Sequence, residues 1–171
     1  MGSAAHLVKR FFGSLWPVGP NAAGTDWVRS QLLPAEYDLW ASSSAADRRH
    51  SLGVAREVDS MLAEAPREVL AAALLHDIGK TVSGLGTYFR VAATLSAAVA
   101  GRETAELWVK GSGVTRRIGL YLKHPELGGD LLAVAGSDPL TIAWAREHHL
   151  PPSEWTIDSA FAAALDEADN D

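Results

Sequence analysis

Val69-Leu70-Ala71-Ala72-Ala73-Leu74-Leu75-His76-Asp77-Ile78-Gly79-Lys80 is the stretch that decides how this chain is read. An unbroken apolar run opened by Pro66, without the alternation of a strand, reads as a helix. The pair His76-Asp77 follows directly, so the helix carries both side chains into the interior. A buried carboxylate without a partner is costly, and Asp77 therefore calls for a cation. An imidazole nitrogen and a carboxylate oxygen from adjacent residues can reach one metal ion, or Asp77 can bridge two. Gly79 marks the helix end and lets the chain turn, leaving Lys80 to approach an anion bound at the same place.

Outward from this centre the apolar pattern stays helical, and the fold class it predicts is all-α, a compact multi-helix bundle around a buried site. Ser44 followed by Asp47 resembles a capping box and predicts a helix from there to about Ala65, with His50, Val54, Val58 and Met61 along one face. Upstream, a short amphipathic helix around Leu7, Phe11, Phe12 and Leu15 precedes a Pro/Gly/Asn loop over Pro17–Gly24. Two short helices then follow, over Thr25–Leu33 and Pro34–Ser42. Downstream, helices are predicted over Leu85–Ala100, Glu103–Val109 and Val114–Lys123, and from His124-Pro125 to about Val134. Asp138-Pro139 opens another that stops at His148-His149 before Leu150-Pro151-Pro152, and the last runs from about Ser153 to Ala168. There is no internal repeat and no low-complexity tract.

Length and composition narrow the function. With 171 residues the chain makes one domain able to bury a core without staples. A net charge of −6 lacks the basic field that non-specific nucleic-acid binding demands, although a metal can still bring a small anion to an acidic protein. The absence of cysteine excludes disulfides, thiolate metal sites and cysteine nucleophiles, and agrees with a cytoplasmic protein. Met1–Trp16 is too broken by Lys9, Arg10 and Gly13 for a signal peptide. The apolar stretch Val91–Gly101 is far short of the roughly 20 residues of a membrane span, so no membrane partner is expected.

Five of the six histidines sit at predicted helix ends or on apolar helix faces. His124 stands just before a helix, with Gly128 and Gly129 one turn on to permit close packing. His148 and His149 end another helix. Asp169 falls eight residues after Phe161, at the edge of the stripe formed by Ile157, Phe161 and Leu165. Taken singly, each has an ordinary explanation. His50 would be a core histidine, His148-His149 a pair favoured by the helix dipole, Asp169 a solvated charge and Lys80 a helix-end lysine. His6 belongs to no pattern and reads as surface. The ordered set of His, His-Asp, His, His-His and Asp, with helical intervals, outweighs those separate explanations.

This set resembles the HD-domain superfamily of metal-dependent phosphohydrolases, with the motif layout of HD-GYP phosphodiesterases. Arg49-His50-Ser51-Leu52-Gly53-Val54-Ala55 looks like the first motif and Leu75-His76-Asp77-Ile78-Gly79-Lys80 like the signature. Lys123-His124-Pro125-Glu126-Leu127-Gly128, Glu147-His148-His149 and Ala168-Asp169 look like the remaining three. On this resemblance residues 44–171 form the HD domain, and residues 1–43 a helical extension packed on it. The chain departs from the pattern in three places. Leu150-Pro151-Pro152-Ser153-Glu154-Trp155 replaces the Gly-Tyr-Pro element. Ala46 stands where three-metal members carry glutamate. The interval between Asp77 and His124 is longer than in compact members. These departures weaken cyclic di-GMP as substrate and favour two metals over three.

The resemblance implies a dinuclear site of two divalent transition-metal ions, iron or manganese first, with zinc, cobalt or nickel as options. His50, His76, Asp77 and Asp169 would hold one ion; a bridging Asp77 with His124, His148 and His149 would hold the other. Asp77 and Lys80 are then the catalytic pair, and the expected reaction is hydrolysis of a nucleotide or other small phosphate ester. Arg48, Arg49 and Lys123, which neighbour ligands in sequence, are expected to help hold the anion. Two other classes stay open, a di-iron oxygenase on the same fold and a non-catalytic helical binding or regulatory module. The adjacent pair His148-His149 and Lys80 favour hydrolysis over oxygenation, and the full ligand set argues against a mere module.

Overall fold

The buried run dictates the architecture. In a computed structural model that describes residues 18–85 and 106–170, every residue from Val69 to Leu75 is buried. They form α4 (Arg67–Leu75), enclosed by α1 (Ala22–Gln31), α2 (Pro34–Ser42), α3 (Ala45–Leu62) and α8 (Pro139–Glu147). The other helices are α5 (Lys80–Ser83), α6 (Gly113–Leu122), α7 (His124–Ala135) and α9 (Ser159–Asn170). α7 lies against α8, α9 against α3, and α5 against both α6 and α7. No strand occurs among the described residues, and none of their helices is long and apolar enough to cross a membrane.

Polar links across this core set the register of the helices. Trp40, itself 2% exposed, donates its indole N–H to Ser51 Oγ at 3.0 Å and ties α2 to α3. The Thr141 hydroxyl donates to the Glu68 carbonyl at 3.0 Å and ties α8 to α4. Glu36 is fully buried on α2, where its Oε2 accepts from the Leu33 N–H at 2.8 Å and from Arg67 at 3.1 Å.

Several helix ends depart from expectation. The first described helix starts at Ala22 because Asn21 Oδ1 accepts from the Gly24 N–H, so part of the expected Pro17–Gly24 loop is helical. Ser44 caps α3 as expected, accepting from the Asp47 N–H, but the helix ends at Leu62 with Ala63 left-handed. α4 stops at Leu75, and His76 to Gly79 form a tight turn leading into α5. The expected helix from Ser153 is interrupted. Pro152–Glu154 form one 3-10 turn, and α9 begins only at Ser159, where Asp158 Oδ1 accepts from the Ala160 N–H. The expected helices around Leu7–Leu15 and over Leu85–Ala100, together with His6 and the start of the Glu103–Val109 helix, lie outside the described residues, apart from Leu85 itself. Residues 106–109 are helical.

Candidate metal centre

His76 and His148 stand at helix C-termini, and His124 opens α7 directly after the end of α6, where the last carbonyls of a helix have no intrahelical partner. Each donates its Nδ1–H to the carbonyl three residues back: His76 to Ala73 at 2.9 Å, His124 to Tyr121 at 2.7 Å and His148 to Ala145 at 3.1 Å. One local device thereby satisfies a carbonyl and fixes the ring, leaving Nε2 aimed inward as the atom available to a metal.

Asp77, on the turn after α4, is the point on which these nitrogens converge. Its Oδ1 lies 3.4 Å from His124 Nε2 and 3.6 Å from His148 Nε2, and its Oδ2 lies 3.4 Å from His76 Nε2. From α9, Asp169 Oδ1 reaches His50 Nε2 on α3 at 2.9 Å and His76 Nε2 at 3.6 Å. His149 Nε2 stands 3.2 Å from His124 Nε2 at the exposed rim. All seven side chains named from the sequence thus meet, in two groups with metal-like spacing. Asp77, His124, His148 and His149 form one, and His50, His76 and Asp169 the other; within each group the potential ligand atoms lie within 4.8 Å of one another.

Three atoms at the centre test whether a metal fits. His76 Nε2, His148 Nε2 and Asp77 Oδ1 are buried and make no hydrogen bond. Buried polar atoms are rarely left so, and two imidazole nitrogens and a carboxylate oxygen converging on one space are the donor set of a divalent transition-metal ion.

The electrostatics divide the ligands. Burial opposes charge on His76, yet the Asp77 and Asp169 carboxylates override it and hold its pKa up at about 9. Burial likewise opposes charge on Asp77, but Lys80 and His76 outweigh it and keep the carboxyl well below its usual range. His124 is pushed down by burial, and His149 by burial and then by the neighbouring His148 and His124, so both present neutral nitrogens.

The basic side chains expected to help hold an anion have these partners among the described residues. Lys80 is ion-paired with Asp77 Oδ2. Arg48 donates to the carbonyls of Ala41 and Ser43 at 2.8 and 2.7 Å and lies over the Trp40 ring, bracing α2 against α3. Arg49 donates to the Val18 carbonyl, and Lys123 pairs with Glu126 at 2.9 Å. Helix neighbours of a ligand project around the cylinder, so adjacency in sequence did not bring Arg48 to the candidate centre, whereas Lys80 sits on Asp77 itself.

Sequence reading also missed a clamp beside His148-His149. Trp155 donates its indole N–H to the carbonyls of Glu147 and Leu150, both at 3.1 Å, and its ring packs on Trp144. The Glu147 carboxylate accepts from the Thr156 N–H at 2.7 Å and hydroxyl at 2.6 Å. The Pro-Pro-Ser-Glu-Trp segment therefore seals the end of α8. Tryptophan after a helix stop was its only signal in the sequence.

Gly79 lets the two sides of the site approach. A Cβ there would sit 2.0 Å from the His124 carbonyl oxygen and 2.6 Å from the Gly128 nitrogen, so the turn and the start of α7 touch through backbone. Gly128 faces it from α7, as its place one turn after His124 suggested. No curated protein and no solved structure matched the chain. The family model of the HD domain matches residues 48–171, which contain all seven converging side chains, and the chain belongs to the HD domain family.

Proposed function

We propose that this protein is a metal-dependent phosphohydrolase that cleaves a small phosphate ester, nucleotide-like in class, at a dinuclear centre. Membership of the HD domain family, which is of metal-dependent hydrolase type, supports the hydrolytic class. The observation that carries the reading is the convergence of three buried polar atoms without a hydrogen bond, His76 Nε2, His148 Nε2 and Asp77 Oδ1, between two metal-like ligand groups.

In this reading His50, His76 and Asp169 would hold one divalent ion and His124, His148 and His149 the other, with Asp77 standing between the two groups. Iron and manganese suit such imidazole-rich ligation, and zinc, cobalt and nickel are compatible with it. The ions would supply Lewis acidity and a water acidified to near neutral pH. The chain supplies the rest. The Ala73, Tyr121 and Ala145 carbonyls hold the Nδ1 side of three imidazoles and so orient each Nε2 toward the centre. Asp77 keeps its negative charge at neutral pH. Lys80, one turn further on, is the cation nearest that carboxylate and the natural partner for phosphoryl oxygens.

The test is elemental analysis of anaerobically purified protein beside the Asp77→Ala variant, followed by hydrolysis assays on aryl phosphate mono- and diesters and nucleotides. About two equivalents of transition metal in the wild type, strongly reduced in the variant together with hydrolysis, are expected. A wild type that takes up no metal after reconstitution overturns the reading. A loaded wild type that leaves every ester intact but consumes dioxygen replaces hydrolysis by oxygenation.

A further inference from the structure

The two oxygens of Asp77 are not equivalent. Oδ1 faces His124 and His148 and makes no hydrogen bond. Oδ2 faces His76 and carries the Lys80 ammonium, one helical turn along the same backbone. Both partners of that ion pair are largely buried, at 16% exposure for the Lys80 side chain and 13% for Asp77. One ligand group therefore has four protein ligands including Asp77, whereas the other has three, and Lys80 stands on the oxygen that would supply a fourth.

We propose that Lys80 is a resident cation that holds Asp77 Oδ2 until the His50–His76–Asp169 group is loaded, so that the two metal sites fill in order and the second is coupled to an anion. The inference rests on the dinuclear reading above. Asp77 Oδ1 is open to an ion held with His124, His148 and His149, so that group binds first. The second group gains its fourth ligand only if Lys80 leaves Oδ2. Two dications beside two carboxylates and a lysine leave the pocket strongly positive, and a positive charge next to a dication is unfavourable at short range. An anion relieves both problems, because it neutralises the pocket and gives the departing Lys80 a new partner. Since binding linkage is reciprocal, an anion that favours the second ion is itself bound more tightly once that ion is present. Lys80 would thus be a device that makes the complete centre form around a phosphate-like ligand rather than before it.

Titration of the metal-free full chain with Mn2+ by calorimetry, with and without inorganic phosphate, tests this in the wild type, Lys80→Met and Lys80→Arg. The wild type should show two classes of site, the weaker strengthened by phosphate. Lys80→Met removes the competing charge at similar side-chain length. It should tighten the weaker class by about tenfold and abolish most of the phosphate effect. Lys80→Arg, which keeps the charge, should resemble the wild type. Two equally tight sites in the wild type, or an unchanged or weakened second site in Lys80→Met, overturn the resident-cation role while leaving the dinuclear reading intact. A wild type that binds no Mn2+ overturns both. If Lys80→Met does not fold, the wild-type titration decides. Two classes with a phosphate-dependent second support the proposal, and a second class indifferent to phosphate overturns it.

Discussion

Asp169 Oδ1 lies 2.9 Å from His50 Nε2, a contact between residues 119 positions apart that fastens the last helix to the first helix of the matched region. The same oxygen is 3.6 Å from His76 Nε2, so α9 closes one ligand group by a single carboxylate. Without α9 packed on α3, His50 and His76 would face each other, with ring centroids 5.7 Å apart and no carboxylate from this side.

Asp169→Ala should therefore lose one metal equivalent and keep the other. The residues Asp77, His124, His148 and His149 are untouched by the change, and only the His50–His76 group loses its carboxylate. Metal content after dialysis distinguishes the outcomes; loss of both equivalents would show that the two groups do not bind separately.

Gly79→Ala should be severely destabilising. The new methyl would overlap the His124 carbonyl, which is backbone and cannot rotate away. Overpacking of this kind costs about 3 kcal/mol or more, which for a chain of this size lowers Tm by roughly 10 °C. A thermal melt of the metal-free protein within a degree or two of wild type would contradict this packing.

Stability of the metal-free protein should peak near pH 6.5. His76 has a folded pKa raised to about 9, so its contribution is fully present below its ordinary value of 6.5 and is lost as pH rises through 9. His124 and His149 have lowered pKa values, so below 6.5 the unfolded chain takes up protons that the folded chain refuses, and stability falls again. Urea midpoints measured from pH 5 to 9 check both arms. Metal uptake between pH 7 and 9 should also release a proton from His76 and tighten as pH rises. A flat urea profile would mean that these histidines do not feel the charges around them.

Trp155→Phe should loosen the end of α8 while keeping the ring packing on Trp144. It removes the donor to the Glu147 and Leu150 carbonyls on either side of His148-His149. Support of this kind is worth about tenfold or more in metal affinity, and the loss should fall on the Asp77–His124–His148–His149 group alone. Calorimetric titration of Trp155→Phe resolves it; equal weakening of both sites would point to general destabilisation instead.

Local chemistry made much of this legible. The apolar run Val69–Leu75 announced a helix that leads His76-Asp77 inward, and its full enclosure is what apolar residues on every side require. Asp138-Pro139 announced α8, whose cap is Asp138 accepting from the Leu140 N–H. The 3-10 turn and late start of α9 were hidden, because Ser153 and Asp158 are both acceptable helix caps, and tertiary packing of Trp155 selects the later start.

For the candidate centre, the sequence by itself determined which side chains were available: helix ends carry His76, His124 and His148, and a histidine there can bond the free carbonyl three residues back. That is short-range information, written within one turn of each residue. Only the tertiary structure decided that Asp169 closes on His50, that Asp77 divides its oxygens between two groups, and that Lys80 sits on one of them. It also decided that Arg48 turns to the backbone carbonyls of Ala41 and Ser43. Each of these depends on how helices distant in sequence rotate to bury their apolar faces, a choice made by the whole core at once.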